Sequence, residues 1–503
     1  MTEFRAGRAA PRRTGRRPRN MLADVCARWA DRAHQRLRPW NEPWTTRRIR
    51  VFWVVTRMLL IIGAVTAKLL GAQHGVLGDV RLYDHWGHGL VHGNGLPAGD
   101  DRWQYPPAAA IVLAVPSLVQ MVTRLPYEVG FLLMIIVLDA VVTGVLARRS
   151  VSAARFWLVG TCALGPVSMA RFDLVPAALT VAGFAELTRG RWGRTGLAVG
   201  AGTLVKVWPV LFVAALAGPG STGGHPGLPA GRAMRPALAR FAGGLVAAVA
   251  LVAGVLFGAG WWRDAFGFVG AQKARGLQLE AVPATPFVLA HMVGLHDGPV
   301  YAWGSLQFGS AAARRVAGVC SLVEAAVMVG ATAWWWLRRS PRTATDPADR
   351  MLALLLLIIV TSRVLSPQYL VWVLAVAACR PGWSGADGTT DPAGVAGRRA
   401  LDRRITIGLL VICLISFVVY PIRYEDVVQG RVVASLLLVL RNAVLVVICW
   451  YAVRVAWRPP QPPLPRPEPF RRLPPSTQPD QPASAAAMSE QAKPARSRTA
   501  PPR

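Results

Sequence analysis

Four apolar runs, residues 51–70, 241–259, 316–337 and 433–451, constrain this chain more than any other feature. Each is long enough, or nearly so, to cross about 30 Å of hydrocarbon. Of 503 residues, 53% are hydrophobic and only 17% are charged, which is more continuous apolar sequence than a soluble domain carries. The reading is an all-α, polytopic integral membrane protein, one helical body of about 10 to 13 membrane segments. A basic cytoplasmic leader (1–50), a membrane domain (51–453) and a disordered, Pro-rich cytoplasmic tail (454–503) follow from the shifts in composition.

The net charge of +31 invites a nucleic-acid reading, but its distribution opposes one. Lys and Arg cluster in the leader, in loops between apolar runs and in the tail, as the positive-inside rule requires beside membrane spans. No nucleic-acid partner is expected. Residues 21–37 read either as a basic amphipathic helix on anionic lipid or as disorder. The leader is too long ahead of the first apolar run to be a cleavable signal, so 51–70 reads as a retained span. Of six cysteines, Cys26 lies in the leader, and Cys162, Cys320, Cys379, Cys413 and Cys449 lie in or at the ends of apolar runs. None sits in an outer loop and no CxxC occurs, so neither a disulfide nor a cysteine metal site is expected.

The remaining apolar runs (129–146, 156–170, 174–184, 196–205, 210–216, 351–360, 369–379) are uneven, and several are too short to cross alone. Short arms are tolerated where a water-filled cavity cuts in at membrane depth. Basic stretches at 148–149, 189–194, 232–240, 338–350 and 380–404 read as cytoplasmic loops. The segments between them, 71–107, 171–173, 206–209, 261–313 and 361–369, then fall on the other side. Parity leaves one choice. Either 108–121 is a shallow or re-entrant helix, or Arg148-Arg149 faces outward.

Ionisable residues near a membrane are costly and are functional candidates by default. Asp79 reads as a solvated loop acid, a helix N-cap or a general base for an acceptor hydroxyl. Asp84, Asp100 and Asp101 share its loop. Arg171 and Asp173 read as a pair that caps a helical hairpin, or as site residues. Lys206 and Arg363 either snorkel to the interface or meet a lipid phosphate. The segment Gln272-Lys-Ala-Arg-Gly-Leu-Gln-Leu-Glu280 reads as an interfacial helix or a mobile loop over a cavity. Trp86, Trp103, Tyr105, Trp208, Tyr369 and Trp372 offer faces for sugar stacking, or anchor in the interfacial belt. HExxH, P-loop and dinucleotide fingerprints are all absent, as is any zinc-like cluster.

Five stretches in order carry a resemblance: Gly78-Asp-x-x-x-Tyr83, Gln-Tyr-Pro-Pro at 104–107, Arg-Phe-Asp-Leu-Val-Pro at 171–176, Val-Lys-Val-Trp-Pro at 205–209 and Ser-Arg-Val-Leu-Ser-Pro-Gln-Tyr-Leu-Val-Trp at 362–372. Over roughly 50–450 the chain resembles bacterial membrane glycosyltransferases of family 87, with a GT-C fold, which include polyprenyl-phosphate-mannose-dependent mannosyltransferases and related arabinosyltransferases. The resemblance implies a polyprenyl-phosphate sugar donor, a glycolipid or glycan acceptor, and an inverting, metal-independent reaction without cofactor. It also implies catalysis at the extracytoplasmic face of the bacterial plasma membrane, with both termini cytoplasmic. Asp79 matches the family's base and Lys206 the lysine before Trp-Pro. Arg363 and Ser366 match the residues before Pro-Gln-Tyr. Arg171, Arg275 and Arg363 join Lys206 around the donor phosphate. Tyr83, His85, Tyr105, Asp173, Glu280, Ser366, Gln368 and Tyr369 are candidate positioning residues, with Asp173 set to orient Arg171. Ala281 stands after Glu280 where a small hydroxyl residue is expected. Two other readings stay open: a transporter or flippase of a polar lipid, and a noncatalytic envelope-assembly protein.

Overall fold

The computed structural model describes residues 44–69, 71–216, 233–337, 346–380 and 392–457. Cys26, the segment 21–37 read as helix or disorder, and the Pro-rich tail lie outside them. The described chain is predominantly helical. In order it forms α1 (Thr46–Thr66), α2 (Gly78–Val91), α3 (Ala108–Thr123), α4 (Tyr127–Arg149), α5 (Val151–Leu164), α6 (Leu174–Thr188), α7 (Trp192–Val205), α8 (Leu211–Ala215) and α9 (Met234–Gly258). Then come α10 (Gly267–Ala274), β1 (Leu277–Gln278), α11 (Thr285–Met292), β2 (Val300–Ala302), β3 (Ser305–Phe308), α12 (Ala311–Leu337), α13 (Pro347–Thr361), α14 (Tyr369–Ala378), α15 (Pro392–Phe417), α16 (Tyr424–Val428) and α17 (Val432–Ala456).

Among the described residues, six helices are long and apolar enough to cross a membrane: α1, α4, α9, α12, α15 and α17. This is a polytopic membrane protein. The expected count of about 10 to 13 segments therefore depends on shorter apolar helices such as α6 and α14, which cannot cross alone. Caps start the helices where the sequence allows. Thr45 accepts from the Arg48 amide at 3.2 Å ahead of α1, and Asp346 caps α13 with Pro347 at its first position.

Two expectations change. The purely helical reading missed a small antiparallel sheet, order β1-β3-β2, in the 261–313 segment. The loop expected over 380–404 ends sooner, because α15 is helical from Pro392. A third is decided. Tyr83 on α2 packs against Phe131, near the start of α4, at 5.7 Å between ring centres. The α4 start therefore lies at the Asp79 end, and Arg148-Arg149 at the opposite end beside Arg189 and Cys379. Helix α3 is apolar but shorter than the six long helices. It lies against α2 where Gly87 has no side chain; a Cβ there would meet Ser117 Oγ at 2.5 Å and the Leu113 carbonyl at 2.6 Å.

Between lipid-facing helices the hydrophobic effect offers no drive, so small residues and buried polar pairs hold the bundle. Helices α7 and α9 touch backbone to backbone: a Cβ on Gly196 would collide with the Phe241 carbonyl, and one on Gly244 with the Gly193 carbonyl. Arg57 of α1 pairs with Asp139 of α4, Nε to Oδ2 at 2.7 Å and Nη2 to Oδ1 at 2.8 Å. Trp53 and Trp157 also donate to that carboxylate, at 2.5 and 2.8 Å, so its charge is fully met.

Candidate active site

The site is built where helices end. Asp79 stands in the first turn of α2, where the helix dipole favours an acid. Val80, Tyr83, Trp86 and Leu90 recur at helical spacing and bury one face of α2, which fixes its rotation. Asp79 is left 44% exposed, with Oδ2 at 2.8 Å from Nε of Arg171. Arg171 is itself buried. Its Nη1 donates to the carbonyls of Val76 and Ala170, each at 2.8 Å, and its Nη2 to the Tyr420 hydroxyl at 3.3 Å. One guanidinium thus ties the 71–79 loop, the 170–173 turn and the 420–426 turn. Burial opposes its charge, and Asp79 with Tyr420 outweighs that, so the proton is held more tightly than on a free arginine.

Phe172 links this pair to a second cluster. Asp173 turns to Lys206, not to Arg171: Oδ1 lies 2.6 Å from Nζ and accepts the Trp372 indole N–H at 2.7 Å. The pairing differs from the expected one because Arg171 and Asp173 leave a turn in different directions. The Lys206 ammonium sits among four rings: Phe172 at 4.8 Å, Tyr105 at 5.2 Å, Trp372 at 5.3 Å and Tyr369 at 5.9 Å. Burial pushes this amine below the ordinary lysine value, and Asp173 partly restores it. Tyr105 packs edge-on to Phe172 at 4.9 Å, and Tyr369 stacks on Trp372 at 4.0 Å. Burial raises Tyr105 above the usual phenol range, with Asp79 next and Arg275 opposing, so its hydroxyl stays protonated within reach of all these charges.

The third cluster comes from the segment around β1. Arg275 lies against Tyr369 and reaches Ser305 Oγ at 3.4 Å. Its Nε, like Asp173 Oδ2, is buried without a hydrogen-bond partner among the described residues. Arg363 donates to the Gln272 carbonyl at 2.6 Å, and burial lowers its affinity for its proton, with Arg275 adding to the effect and Glu324 opposing. Gln278 pins the 362–368 turn. Its Oε1 accepts from the Leu365 amide at 2.9 Å, its Nε2 donates to Ser366 Oγ at 3.3 Å, and its own amide donates to the Arg363 carbonyl. Gln368, the N-cap position of α14, is half-buried beside Tyr369.

Two candidates stand apart. His85 is exposed and lies about 120° around α2 from Asp79, since six residues turn the helix through about 600°, short of two full turns by that much. Glu280 is buried and bonds Arg441 on α17, Oε2 to Nη1 at 3.0 Å, with Asn442 beside it bridging to Thr285 at 2.9 Å. Burial raises the Glu280 carboxyl and Arg441 opposes that, so the pair reads as a buried strut. Of the loop acids, Asp100 engages Arg102 and Trp86. Burial raises it, but these hydrogen bonds prevail and hold it at about 2. Asp84 is raised, by burial and then by Glu128.

Sequence reasoning passed over Tyr420 and its turn. The signal was present: 420–431 interrupts two apolar runs with Tyr, Arg, Glu and Asp, as the other tips do. His74 packs on Tyr420 and Tyr424 at 5.9 and 5.3 Å, and the Gln73 and His74 amides bond Ile422 and Pro421, so this turn backs the Asp79 loop. Among the described residues no group of three His, Cys, Asp or Glu side chains is placed to hold a metal.

No curated protein and no solved structure matches the chain. The family described as glycosyltransferase family 87 matches residues 103–383. That span holds Tyr105, Arg171, Asp173, Lys206, Arg275, Arg363 and Tyr369, while Asp79 and Tyr420 flank it. With more than half of its length matched and the polar tips of its helices gathered at one end, this membrane protein belongs to glycosyltransferase family 87.

Proposed function

We propose that the protein transfers a sugar, mannose in preference to arabinose, from a polyprenyl-phosphate donor to a hydroxyl of an envelope glycolipid or glycan. The reaction takes place at the extracytoplasmic face of a bacterial plasma membrane, with both chain termini on the cytoplasmic side. The observation that carries this reading is the Asp79 carboxylate, tethered at 2.8 Å to a buried arginine yet 44% exposed on the rim of the Lys206–Tyr105 cluster. A base needs that arrangement: fixed direction, open access to the acceptor, and charge of the right sign behind it.

Asp79 takes the proton of the acceptor hydroxyl as that oxygen attacks the anomeric carbon. The bond from this carbon to the phosphate oxygen breaks on the opposite face, and polyprenyl phosphate leaves with the electron pair. The anomeric configuration inverts. The leaving phosphate needs no general acid. Arg275 and Arg363 meet its growing charge, with Lys206 and Arg171 adding field from behind. Tyr83, Tyr105 and Tyr369 wall the sugar subsite, and Ser366 and Gln368 line the turn that carries Arg363. His85 and Glu280 take no part in this scheme.

The test uses purified protein in lipid with radiolabelled polyprenyl-phosphate-mannose and a panel of envelope glycolipids, with polyprenyl-phosphate-arabinose in parallel. Asp79→Asn is expected to cut transfer by about 10²- to 10⁴-fold while melting as wild type does. Equal transfer by both proteins would remove Asp79 as base. Movement of intact donor across the bilayer without a new glycosidic bond would replace the enzyme reading with a transporter.

A further inference from the structure

The end of the bundle opposite Asp79 holds a cleft that the transfer reaction does not use. Helices α15 and α17 run antiparallel and touch closely at Gly408, where a Cβ would collide with Ile448. A gap opens between Gly397, Ala400 and Leu401 on one side and Val453 and Trp457 on the other, with a volume of about 510 Å³. Small residues on α15 leave the room, and Leu401, Val453 and Trp457 make its apolar walls.

Arg404 and Arg454 line this cleft, and no acid among the described residues does. Each guanidinium lies over a ring, Arg404 at 5.5 Å from Tyr451 and Arg454 at 4.7 Å from Trp450. Stacking uses the face of the group and leaves its in-plane N–H fork unspent. Neither arginine forms an ion pair among the described residues. The nearby Asp402 is already committed to Arg380 at 2.5 Å and Arg398 at 2.9 Å. Arg404 directly precedes the apolar stretch 405–419, and Arg454 occupies the last turn of α17, so both stand at the membrane boundary, where lipid phosphates lie.

We infer that this cleft binds an anionic phospholipid from the leaflet at that end, its phosphate between Arg404 and Arg454 and an acyl chain along Leu401, Val453 and Trp457. Two unspent guanidinium forks match phosphate oxygens, and the apolar wall favours a lipid over a free anion. The site is independent of the sugar-transfer reading.

Full-length protein in detergent is titrated with phosphatidylglycerol, phosphatidylcholine or inorganic phosphate, and bound lipid is counted by native mass spectrometry. Wild type is expected to hold one phosphatidylglycerol in preference to phosphatidylcholine, and R404Q/R454Q to bind it roughly thirtyfold more weakly. R399Q/R403Q removes two exposed arginines of α15 that do not line the cleft, and is expected to bind as wild type does. Unchanged binding by R404Q/R454Q, an equal loss in R399Q/R403Q, no preference between the two lipids, or displacement by equimolar inorganic phosphate would each overturn the assignment. A photoactivatable phosphatidylglycerol tests wild type without substitution. Label within 397–404 and 453–457 supports the cleft, and label only elsewhere rejects it.

Discussion

Arg171 pairs by charge with Asp79 and spends its Nη donors on two backbone carbonyls and on the Tyr420 hydroxyl. A lysine in its place would keep the charge but hold only one direction, because an ammonium lacks the planar fork. Arg171→Lys is therefore expected to fold and to lose about 10- to 100-fold in kcat/KM, since a base displaced by even about 1 Å costs that much. Wild-type kcat/KM in the variant would show that Asp79 needs no tether. The residue types at this site were legible in the sequence: an acid, arginines and a lysine at apolar-run ends announce a charged site. Their partners were not. Arg171 sits two residues from Asp173 but pairs with Asp79, and Asp173 pairs with Lys206. Backbone direction at the turn, set by α6 packing, decides which carboxylate each cation meets.

Among the elements, the α7–α9 contact shows how closely lipid-embedded helices must approach when no water drives them together. Gly196→Ala places a methyl against the Phe241 carbonyl and is expected to cost about 1–3 kcal/mol, read as a lower melting temperature in detergent. Gly243→Ala on α9 meets nothing within 4 Å and is expected to leave melting unchanged or raise it. Equal effects would mean that close approach does not hold this pair. At the same scale, run length identified α1, α9, α12 and α17 from composition alone. The three-stranded sheet escaped because β1 has only two residues, β2 three and β3 four, too short for alternation to register. Its importance is tertiary: β1 carries Gln278, which fixes the turn bearing Arg363.

For the whole molecule, stability rests on buried ion pairs that join distant segments. Arg57 and Asp139 are nearly inaccessible and far apart in sequence. Removing one partner strands a charge, so Asp139→Leu is expected to destabilise by about 3–5 kcal/mol. Arg57→Leu/Asp139→Leu is expected to cost less than the sum of the single changes, as thermal melts of all four proteins in one detergent would measure. Additive losses would mean that the two side chains act separately. The sequence by itself determined that the chain is helical and membrane-spanning and that its helix ends carry charge, because apolar length and charge placement are local properties that hydrocarbon reads directly. Only the tertiary structure decided that α3 packs on α2, that Glu280 braces Arg441 while Asp79 takes Arg171, and that Tyr420 completes the rim. Those outcomes depend on which helix ends meet, and close packing between distant segments settles that.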